Sequence, residues 1–216
     1  MLPDRLTWID ATNRDDHMFL REGDRCLFFG EYFSGKGYEG GGTNQLIFNF
    51  KTKPSVIAAN PRRGYWKNQA TATIAAGLRK VFSRVNAERV TWVPIPTSKV
   101  TSHADYDDRL VQTLSSAFHE FDADVRLLLR QTHSTIADHE TGERSTPDEL
   151  FENVVVDEVS LAKSPLRGEV VLFDDVLTSG KHFKCCERRL RQRFPDVPIL
   201  GVFVARRILP NPFDEF

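Results

Sequence analysis

The chain has 216 residues, of which 40% are hydrophobic and 27% are charged, and its formal net charge is −1 at pH 7. This is the balance of a globular protein with an ordinary core, and the near-zero charge excludes a global basic field for nucleic acid. The three cysteines, Cys26, Cys185 and Cys186, form no Cys-x-x-Cys pair, so neither a zinc ribbon nor a disulfide framework is supported. Met1–Ile9 lacks the apolar core of a signal peptide, and no apolar run approaches the roughly 20 residues that span a membrane. We therefore expect a cytoplasmic protein without a membrane segment.

Residues 1–43 are predicted to hold one strand between two irregular segments. Met1–Asp24 is polar and mixed in charge. A metal site is conceivable there, but a solvated turn is the stronger interpretation of its cluster of Asp10, Asp15, Asp16 and His17. Arg25–Phe33 is apolar and aromatic enough for a strand. Ser34–Thr43 contains five glycines, which indicates a loop or a series of tight turns.

The next three segments lead to the first long helix. Asn44–Lys53 partly alternates between apolar and polar residues, which favours a strand, although a helix is not excluded at this length. Pro54–Trp66 contains two prolines and a glycine and predicts a connection. Lys67–Val85 predicts a helix, because its apolar residues recur at helical spacing: Ile74, Leu78, Val81, Phe82 and Val85.

The strand predicted at Arg89–Ile95 runs directly into the loop Pro96–Lys99. This loop places two hydroxyls, from Thr97 and Ser98, and the ammonium group of Lys99 at the carboxyl end of the strand. In open α/β sheets the ligand crevice lies at that edge, so the loop is a candidate binding segment. The alternative is an ordinary strand end that proline limits.

The chain then continues to Val156 with less distinctive patterns. Ser102–Phe121 predicts a turn followed by a helix, and Asp122–Leu129 ends in a strand. Arg130–Pro147 is long, polar and without periodicity, and such a loop in a compact domain is usually functional or disordered. Asp148–Val156 predicts a short turn and another strand.

The most informative stretch is Gly168–Lys184, which reads GEVVLFDDVLTSGKHFK. The apolar run Val170–Phe173 predicts a buried parallel strand, and a helix is predicted over Phe183–Phe194. Between them lie an acid pair and a small loop: Asp174, Asp175, Thr178, Ser179, Gly180, Lys181 and His182. A helix N-terminus, hydroxyls and a glycine suit a phosphate, and adjacent acids can accept hydrogen bonds from neighbouring sugar hydroxyls. The order therefore predicts a site for a ribose phosphate; the alternative is a buried strand and a capped helix with an accidental acid pair.

One more buried strand is predicted at Val197–Ala205. From Val90 onward the strands alternate with helices or connections, which predicts an α/β fold with a mainly parallel sheet flanked by helices. The chain up to about Arg63 does not follow this alternation. We therefore expect an N-terminal hood or cap at residues 1–63, over the carboxyl edge of an α/β core at residues 64–216.

The acid pair and the loop after it resemble the ribose-phosphate-binding signature of the type I phosphoribosyltransferases. That signature is a hydrophobic run, two acids, two residues, Thr or Ser twice, Gly, any residue, and Thr or Ser. Every position fits except the last, where His182 replaces a hydroxyl.

The chain from about Asn44 to Arg207 is similar to the ComF-like branch of that family. Besides the acid-pair motif, short pieces carry this likeness: Leu46–Lys53, Val93–Pro96 and Leu127–Gln131. Two features of the branch are missing, since Cys26 is the only cysteine where a four-cysteine zinc ribbon often stands, and Tyr106–Arg109 replaces an Arg-Gly-Phe-Asn-Gln segment.

The resemblance implies a type I phosphoribosyltransferase-like fold and a protein that binds phosphoribosyl pyrophosphate with Mg²⁺. It would transfer the phosphoribosyl group to a nitrogen acceptor, such as a nucleobase, and release pyrophosphate. The 5-phosphate would lie on Thr178, Ser179, Gly180, Lys181 and His182, and the pyrophosphate near Thr97, Ser98 and Lys99. Asp174, Asp175 and Lys99 would be the catalytic residues, and the two acids would meet Mg²⁺ only through substrate and water. A flexible loop at residues 130–147 would close over the site, with Arg130 as a substrate contact and Gln131, His133, His139 and Arg144 as further candidates.

The alternative function is that of a non-catalytic ComF-like protein, which senses phosphoribosyl pyrophosphate or a nucleotide, or assists DNA uptake or processing. The last helix carries a basic cluster that could touch phosphate backbones: Arg188, Arg189, Arg191 and Arg193. A solvated helix face is the stronger interpretation, because the net charge is not basic. The sequence also leaves a homodimer open.

Overall fold

A computed structural model of the protein describes residues 2–134 and 146–209. The main sheet has six strands in the order β1-β2-β8-β7-β3-β4, and a second sheet pairs β5 with β6. In chain order the strands are β1 Thr7–Trp8, β2 Cys26–Phe33, β3 Val90–Pro94, β4 Asp124–Val125, β5 Leu129–Gln131, β6 Val154–Val156, β7 Glu169–Leu177 and β8 Ile199–Ile208.

Eight α-helices connect and cover the strands in the described part of the chain. They are α1 Gly42–Phe50, α2 Pro54–Ala59, α3 Arg62–Val81, α4 Arg84–Glu88, α5 Arg109–Ala117, α6 Pro147–Asn153, α7 Glu158–Ala162 and α8 Lys181–Arg193. None of the helices in residues 2–134 and 146–209 is long and apolar enough to cross a membrane.

The main sheet is parallel except at one edge, where β1 pairs antiparallel with β2. The expectation of an α/β fold with a mainly parallel sheet flanked by helices is therefore confirmed. Its two faces have separate apolar clusters, because successive residues of a strand point to opposite sides. On β7, Val171 and Phe173 belong to the cluster that includes α3 and α5, whereas Val170 and Leu172 belong to the cluster that includes α8.

The N-terminal part of the chain contributes to the main sheet. β2 is a full strand, and it pairs in parallel with β8 from Cys26 opposite Gly201 to Phe33 opposite Ile208. The alternation of strands and helices therefore begins at β2, earlier than the sequence analysis placed it. The hood over the carboxyl edge stays a prediction.

Two predictions of local structure between β2 and α3 are wrong. Asn44–Lys53 forms helix α1 and its C-terminal cap, with Ile47 and Phe50 buried three residues apart on one face. Apolar spacing over ten residues does not separate a helix from a strand. The predicted connection Pro54–Trp66 holds α2 and the beginning of α3, since Pro54 occupies the first turn of α2, where its missing N–H is not needed.

The seam between β2, β8 and α8 leaves no room for a methyl group at Gly201. A Cβ atom there would lie 2.8 Å from a ring carbon of Phe203, 3.0 Å from Sγ of Cys26 and 3.0 Å from a ring carbon of Phe183. We expect Gly201→Ala to lower the free energy of unfolding by about 1–3 kcal/mol through overpacking.

Urea denaturation followed by circular dichroism would measure this change. Gly168→Ala is the matched control, because its Cβ would meet only the carbonyl oxygen of Arg89, at 3.6 Å. Equal stability of the two variants would contradict the tight seam.

Candidate functional site

The two candidate loops lie side by side at the carboxyl edge of the sheet. β3 and β7 are neighbours, with Pro94 opposite Phe173, and the amide of Ile95 donates a hydrogen bond of 2.9 Å to the carbonyl of Phe173. After β3 the chain passes through α5 on one face to β4, whereas after β7 it passes through α8 on the other face to β8. Such a switch point, where neighbouring strands lead away in opposite directions, opens a crevice that holds ligands in α/β proteins.

The predicted phosphate loop, Thr178–His182, follows β7 and leads into α8. Thr178 is exposed and Ser179 is half-buried. Gly180 precedes the first residue of the helix and has a φ of 81°, a left-handed conformation that glycine adopts without a steric penalty. The helix begins at Lys181, two residues earlier than expected, so the loop leads directly into the helix N-terminus.

The two acids of the motif have different environments. Both oxygens of Asp175 are engaged: Oδ1 lies 3.1 Å from Nζ of Lys51, and Oδ2 accepts hydrogen bonds from Nε and Nη2 of Arg109 at 3.2 and 2.5 Å. Asp175 is buried, with 3% of its surface exposed, whereas Asp174 is half-buried. Because adjacent residues of a strand point to opposite faces, only Asp175 reaches the helices that supply these cations.

The contacts of Asp175 continue as a chain of charges, which we call the ion chain: Lys51, Asp175, Arg109, Asp107 and Lys67. It is buried except at its Lys51 end, where the side chain is 38% exposed. Arg109 lies 3.0 Å from Asp107, and Asp107 lies 2.7 Å from Nζ of Lys67. Lys67 also donates to the carbonyl of Thr52 at 2.8 Å. The chain joins the end of α1, the first half of α3 and the start of α5 to the acid at the end of β7.

These surroundings move the pKa values of the two acids in opposite directions. Burial, and then the charge of Asp175, raise the pKa of Asp174 to about 7. Burial alone would raise the pKa of Asp175 as well, but Lys51 and Arg109 outweigh it and lower that pKa below its usual range. At neutral pH Asp175 is therefore a permanent carboxylate, and Asp174 is divided between its acid and carboxylate forms.

A cavity of about 220 Å³ opens beside the loop that follows β3. Thr97 and Lys99 line it, with Ser98 between them in the chain, and the hydroxyl of Thr97 donates to the carbonyl of Lys99 at 3.3 Å. Much of the remaining wall is apolar: Ile95, Leu110, Val111, Leu127 and Leu129. The volume far exceeds the roughly 10–15 Å³ that a single water molecule needs.

The first two residues of the predicted loop Arg130–Pro147 belong to strand β5, and their side chains point to opposite sides. Arg130 borders the cavity, but its side chain is 55% exposed and its Nε lies 3.3 Å from Asp157. Gln131 also borders the cavity and is buried, and its Oε1 has no hydrogen-bond partner among the described residues. His133 lies next to Thr132, with 3.1 Å between its Nδ1 and the hydroxyl. The predicted contacts His139 and Arg144 lie outside the described residues.

The phosphate loop and the cavity meet at a narrow crevice. His182, on the first turn of α8, shares this crevice with Ile95, Pro96 and Gln131. Lys181, the neighbour of His182, is buried. The structure therefore brings the end of the phosphate loop next to the loop after β3, whereas Asp174 and Asp175 do not border the 220 Å³ cavity.

Sequence reasoning missed the groups that hold this site in place. One feature of the sequence points to Arg109: it lies in Tyr106–Arg109, the segment where the chain departs from the ComF-like branch. No feature of the sequence points to Lys51 as a partner of the acid pair, because the spacing of its segment favours a strand. The prediction for His17 was wrong: it is fully buried, not part of a solvated turn, and its Nδ1 contacts the carbonyl of Thr178.

No group of three or more His, Cys, Asp or Glu side chains within residues 2–134 and 146–209 is placed to hold a metal ion directly. Comparison of the chain with protein-family models, and with curated proteins, found no match.

The ion chain makes Arg109 a critical residue for stability. Arg109→Met would leave Asp175 and Asp107 buried with one cation fewer, and breaking a buried pair in this way costs about 3–5 kcal/mol of unfolding free energy. Urea denaturation would measure the loss. The control is Arg84→Met, which removes a half-exposed pair with Glu88 and should change stability by less than about 1 kcal/mol. Similar losses in both variants would contradict a buried ion chain.

Asp174 should make the protein less stable as the pH rises towards neutrality. The folded state keeps the proton of Asp174 up to about pH 7, whereas the unfolded chain releases it near pH ~4. Between these values the folded state binds more protons, so the free energy of unfolding falls by up to about 1.4 kcal/mol per pH unit.

Asp174→Asn removes this titration, and we expect the variant to be more stable than the wild type at pH 8 and to lose less stability between pH 5 and pH 8. Urea denaturation across this range would measure both. Asp196→Asn, at an exposed carboxyl, is the control. Parallel curves for Asp174→Asn and the wild type would refute the assignment.

Proposed function

We propose that the protein has a type I phosphoribosyltransferase-like fold, with a hood formed by those of residues 1–63 that lie outside β1 and β2, and that it binds phosphoribosyl pyrophosphate with Mg²⁺. It would transfer the phosphoribosyl group to a nitrogen acceptor and release pyrophosphate. One observation carries the proposal. The acid pair lies near the carboxyl end of β7 and the Thr-Ser-Gly loop follows that strand, at the switch point of the parallel sheet and next to the loop that follows β3.

The 5-phosphate would lie on the phosphate loop, Thr178–His182. α8 has 13 residues, so its aligned peptide dipoles give its N-terminus a positive partial charge. The left-handed Gly180 brings backbone amides close to an anion, and Thr178 and Ser179 supply exposed or half-exposed hydroxyls. His182 would donate from its imidazole where the family signature has a hydroxyl.

The ribose would lie over the acid pair. Asp174 is the better candidate for accepting hydrogen bonds from the diol, since three donors already occupy Asp175. Asp175 would act through its charge: the ribose ring becomes positive as pyrophosphate leaves, and a fixed carboxylate nearby stabilises that charge.

The pyrophosphate would lie against Thr97, Ser98 and Lys99. Lys99 would stabilise the charge that develops on the leaving group. Mg²⁺, when bound, would neutralise pyrophosphate charge, and the oxygen donors that it prefers would come from the substrate and from water, so that Asp174 and Asp175 would meet it only indirectly. Arg130 could join this site by giving up its half-exposed pair with Asp157, since such pairs contribute little stability.

The reaction breaks the bond between C1 of the ribose and the pyrophosphate oxygen. The acceptor nitrogen forms a new bond to C1 and gives up a proton. The protein would contribute orientation and charge: the loops after β3 and β7 hold the two phosphate ends, and the acids lie below the ring.

A second candidate function is non-catalytic binding of the same ligand, as in a sensor or an accessory protein. The engagement of both oxygens of Asp175 favours it, because an acid held by Lys51 and Arg109 has little capacity left for substrate. The basic cluster on α8 gives DNA binding no such support, since three of its four arginines, Arg188, Arg189 and Arg191, contact Asp148, Glu187 and backbone carbonyls of the protein itself.

Calorimetric titration of phosphoribosyl pyrophosphate with Mg²⁺ tests the proposal. We expect saturable binding by the wild type, and at least about tenfold weaker binding by Asp174→Asn and by Lys99→Met, since each loses a charge-assisted contact. Lys163→Met, which removes an exposed lysine of α7's C-terminal end, should bind as the wild type does.

Absence of binding by folded wild-type protein would refute both candidate functions. If the ligand binds, pyrophosphate release in the presence of a panel of nitrogen acceptors decides between them. Release that Lys99→Met abolishes supports the transferase, and tight binding without release supports the sensor.

A further inference from the structure

The N-terminal segment, Asp16–Asp24, holds the first two carbonyl groups of the phosphate loop. Nδ1 of His17 donates a hydrogen bond to the carbonyl of Thr178, and the backbone amide of Phe19 donates to the carbonyl of Ser179 at 3.0 Å. A carbonyl oxygen can only accept, so Nδ1 of His17 carries the proton. Its Nε2 is buried and has no hydrogen-bond partner in the described part of the chain.

These two hydrogen bonds fix the direction of two peptide groups. In a planar trans peptide the N–H points away from the C=O. The carbonyls of Thr178 and Ser179 face the N-terminal segment, so the N–H groups of Ser179 and Gly180 point to the opposite side of the loop. Of the three residues, Thr178 is exposed, Ser179 is half-buried and Gly180 is buried.

The fit between the segment and the loop is close. A Cβ atom on Gly180 would lie 2.9 Å from side-chain carbons of Leu20, so the loop approaches the segment as only a glycine can. His17 has no exposed surface, and the amide of Leu20 donates back to its carbonyl at 2.8 Å. The imidazole is therefore held in one position against the loop.

The segment is anchored on both sides of the loop. Asp16 lies 2.7 Å from Arg206 of β8, and Arg206 is paired in the sheet with Leu177, the last residue of β7. Asp24 lies 2.5 Å from Lys184 of α8. The strand before the loop and the helix after it are thus tied to the same stretch of chain.

We propose that His17 is a positioning residue for the phosphate loop, which it turns so that the amides of Ser179 and Gly180 face a phosphate monoester. This inference rests on the proposed function, because it requires that the loop binds the 5-phosphate. His17 itself touches no substrate: it acts through the Thr178 carbonyl.

Ribose 5-phosphate is the probe for the test, by calorimetric titration at a temperature at which every variant is folded by circular dichroism. His17→Leu fills the buried position with an apolar side chain and lacks the Nδ1–H donor. We expect this variant to bind ribose 5-phosphate about tenfold more weakly, which is the effect of one lost hydrogen bond. In His17→Asn the amide nitrogen stands as many bonds from Cα as Nδ1 does, so this variant should retain most of the affinity. Met18→Ala, at a largely exposed neighbour, is the control and should bind normally.

Two further readouts separate positioning from general loss of structure. Binding of Mg²⁺-pyrophosphate, assigned to Thr97–Lys99, should be unchanged in His17→Leu. Ribose 5-phosphate should shift the amide resonances of Ser179 and Gly180 in the wild type, and shift them less in His17→Leu.

The outcomes distinguish this inference from the proposed function. If the wild type does not bind ribose 5-phosphate, the proposed function and the inference both fall. If the wild type binds and His17→Leu binds equally well, the inference alone is overturned. If His17→Leu does not fold, His17→Asn is compared with His17→Gln, whose amide nitrogen corresponds in position to Nε2. Better binding of ribose 5-phosphate by His17→Asn supports positioning through Nδ1. Equal binding by the two variants overturns the inference.

Discussion

The carboxylate of Asp175 lies between the ammonium group of Lys51 and the guanidinium group of Arg109, out of contact with most solvent. A charge at this position is tolerable only with partners, since an unpaired buried charge is strongly destabilising. The partners come from the end of α1 and the start of α5, and Arg109 and Lys67 in turn neutralise Asp107. The carboxyl edge of the sheet therefore has its shape only when three helices on one face are docked correctly. A buried ion chain of this kind contributes little net stability compared with apolar packing, but removal of one member is costly.

The ion chain also separates the roles of two acids that look equivalent in sequence. Both lie in the same strand, but the alternation of side chains sends Asp175 towards the cations and leaves Asp174 without the two contacts that hold its neighbour. The fixed charge of Asp175 is one of the reasons that the pKa of Asp174 is high, so the two effects are linked. A ligand that donates hydrogen bonds to Asp174 would favour its carboxylate form and would relieve part of the cost of ionising it.

The sequence predicted those parts of the site that depend on local patterns. The apolar run before Asp174, the Thr-Ser-Gly loop and the helix after it are contiguous, and the structure contains them nearly as expected. α1 was predicted as a strand because its short apolar pattern fits both periods. Arg109, Lys51 and His17 could not be placed, since they meet the motif across 66, 124 and 161 residues of chain. No local pattern encodes such pairings: they follow from the way in which the whole sheet and its helices pack.

These distant contacts give the N-terminal third of the chain a structural role at the site. Lys51 reaches the acid at the end of β7, and His17 reaches the loop that follows it, from opposite sides of the same strand end. β2, which separates the two in sequence, is itself a strand of the main sheet, so both residues are held by the core. Loops that carry binding groups are mobile by default because they bury little surface. Here both halves of the motif are fixed by side chains from one continuous stretch of chain, so a displacement of that stretch would alter the acid pair and the phosphate loop together.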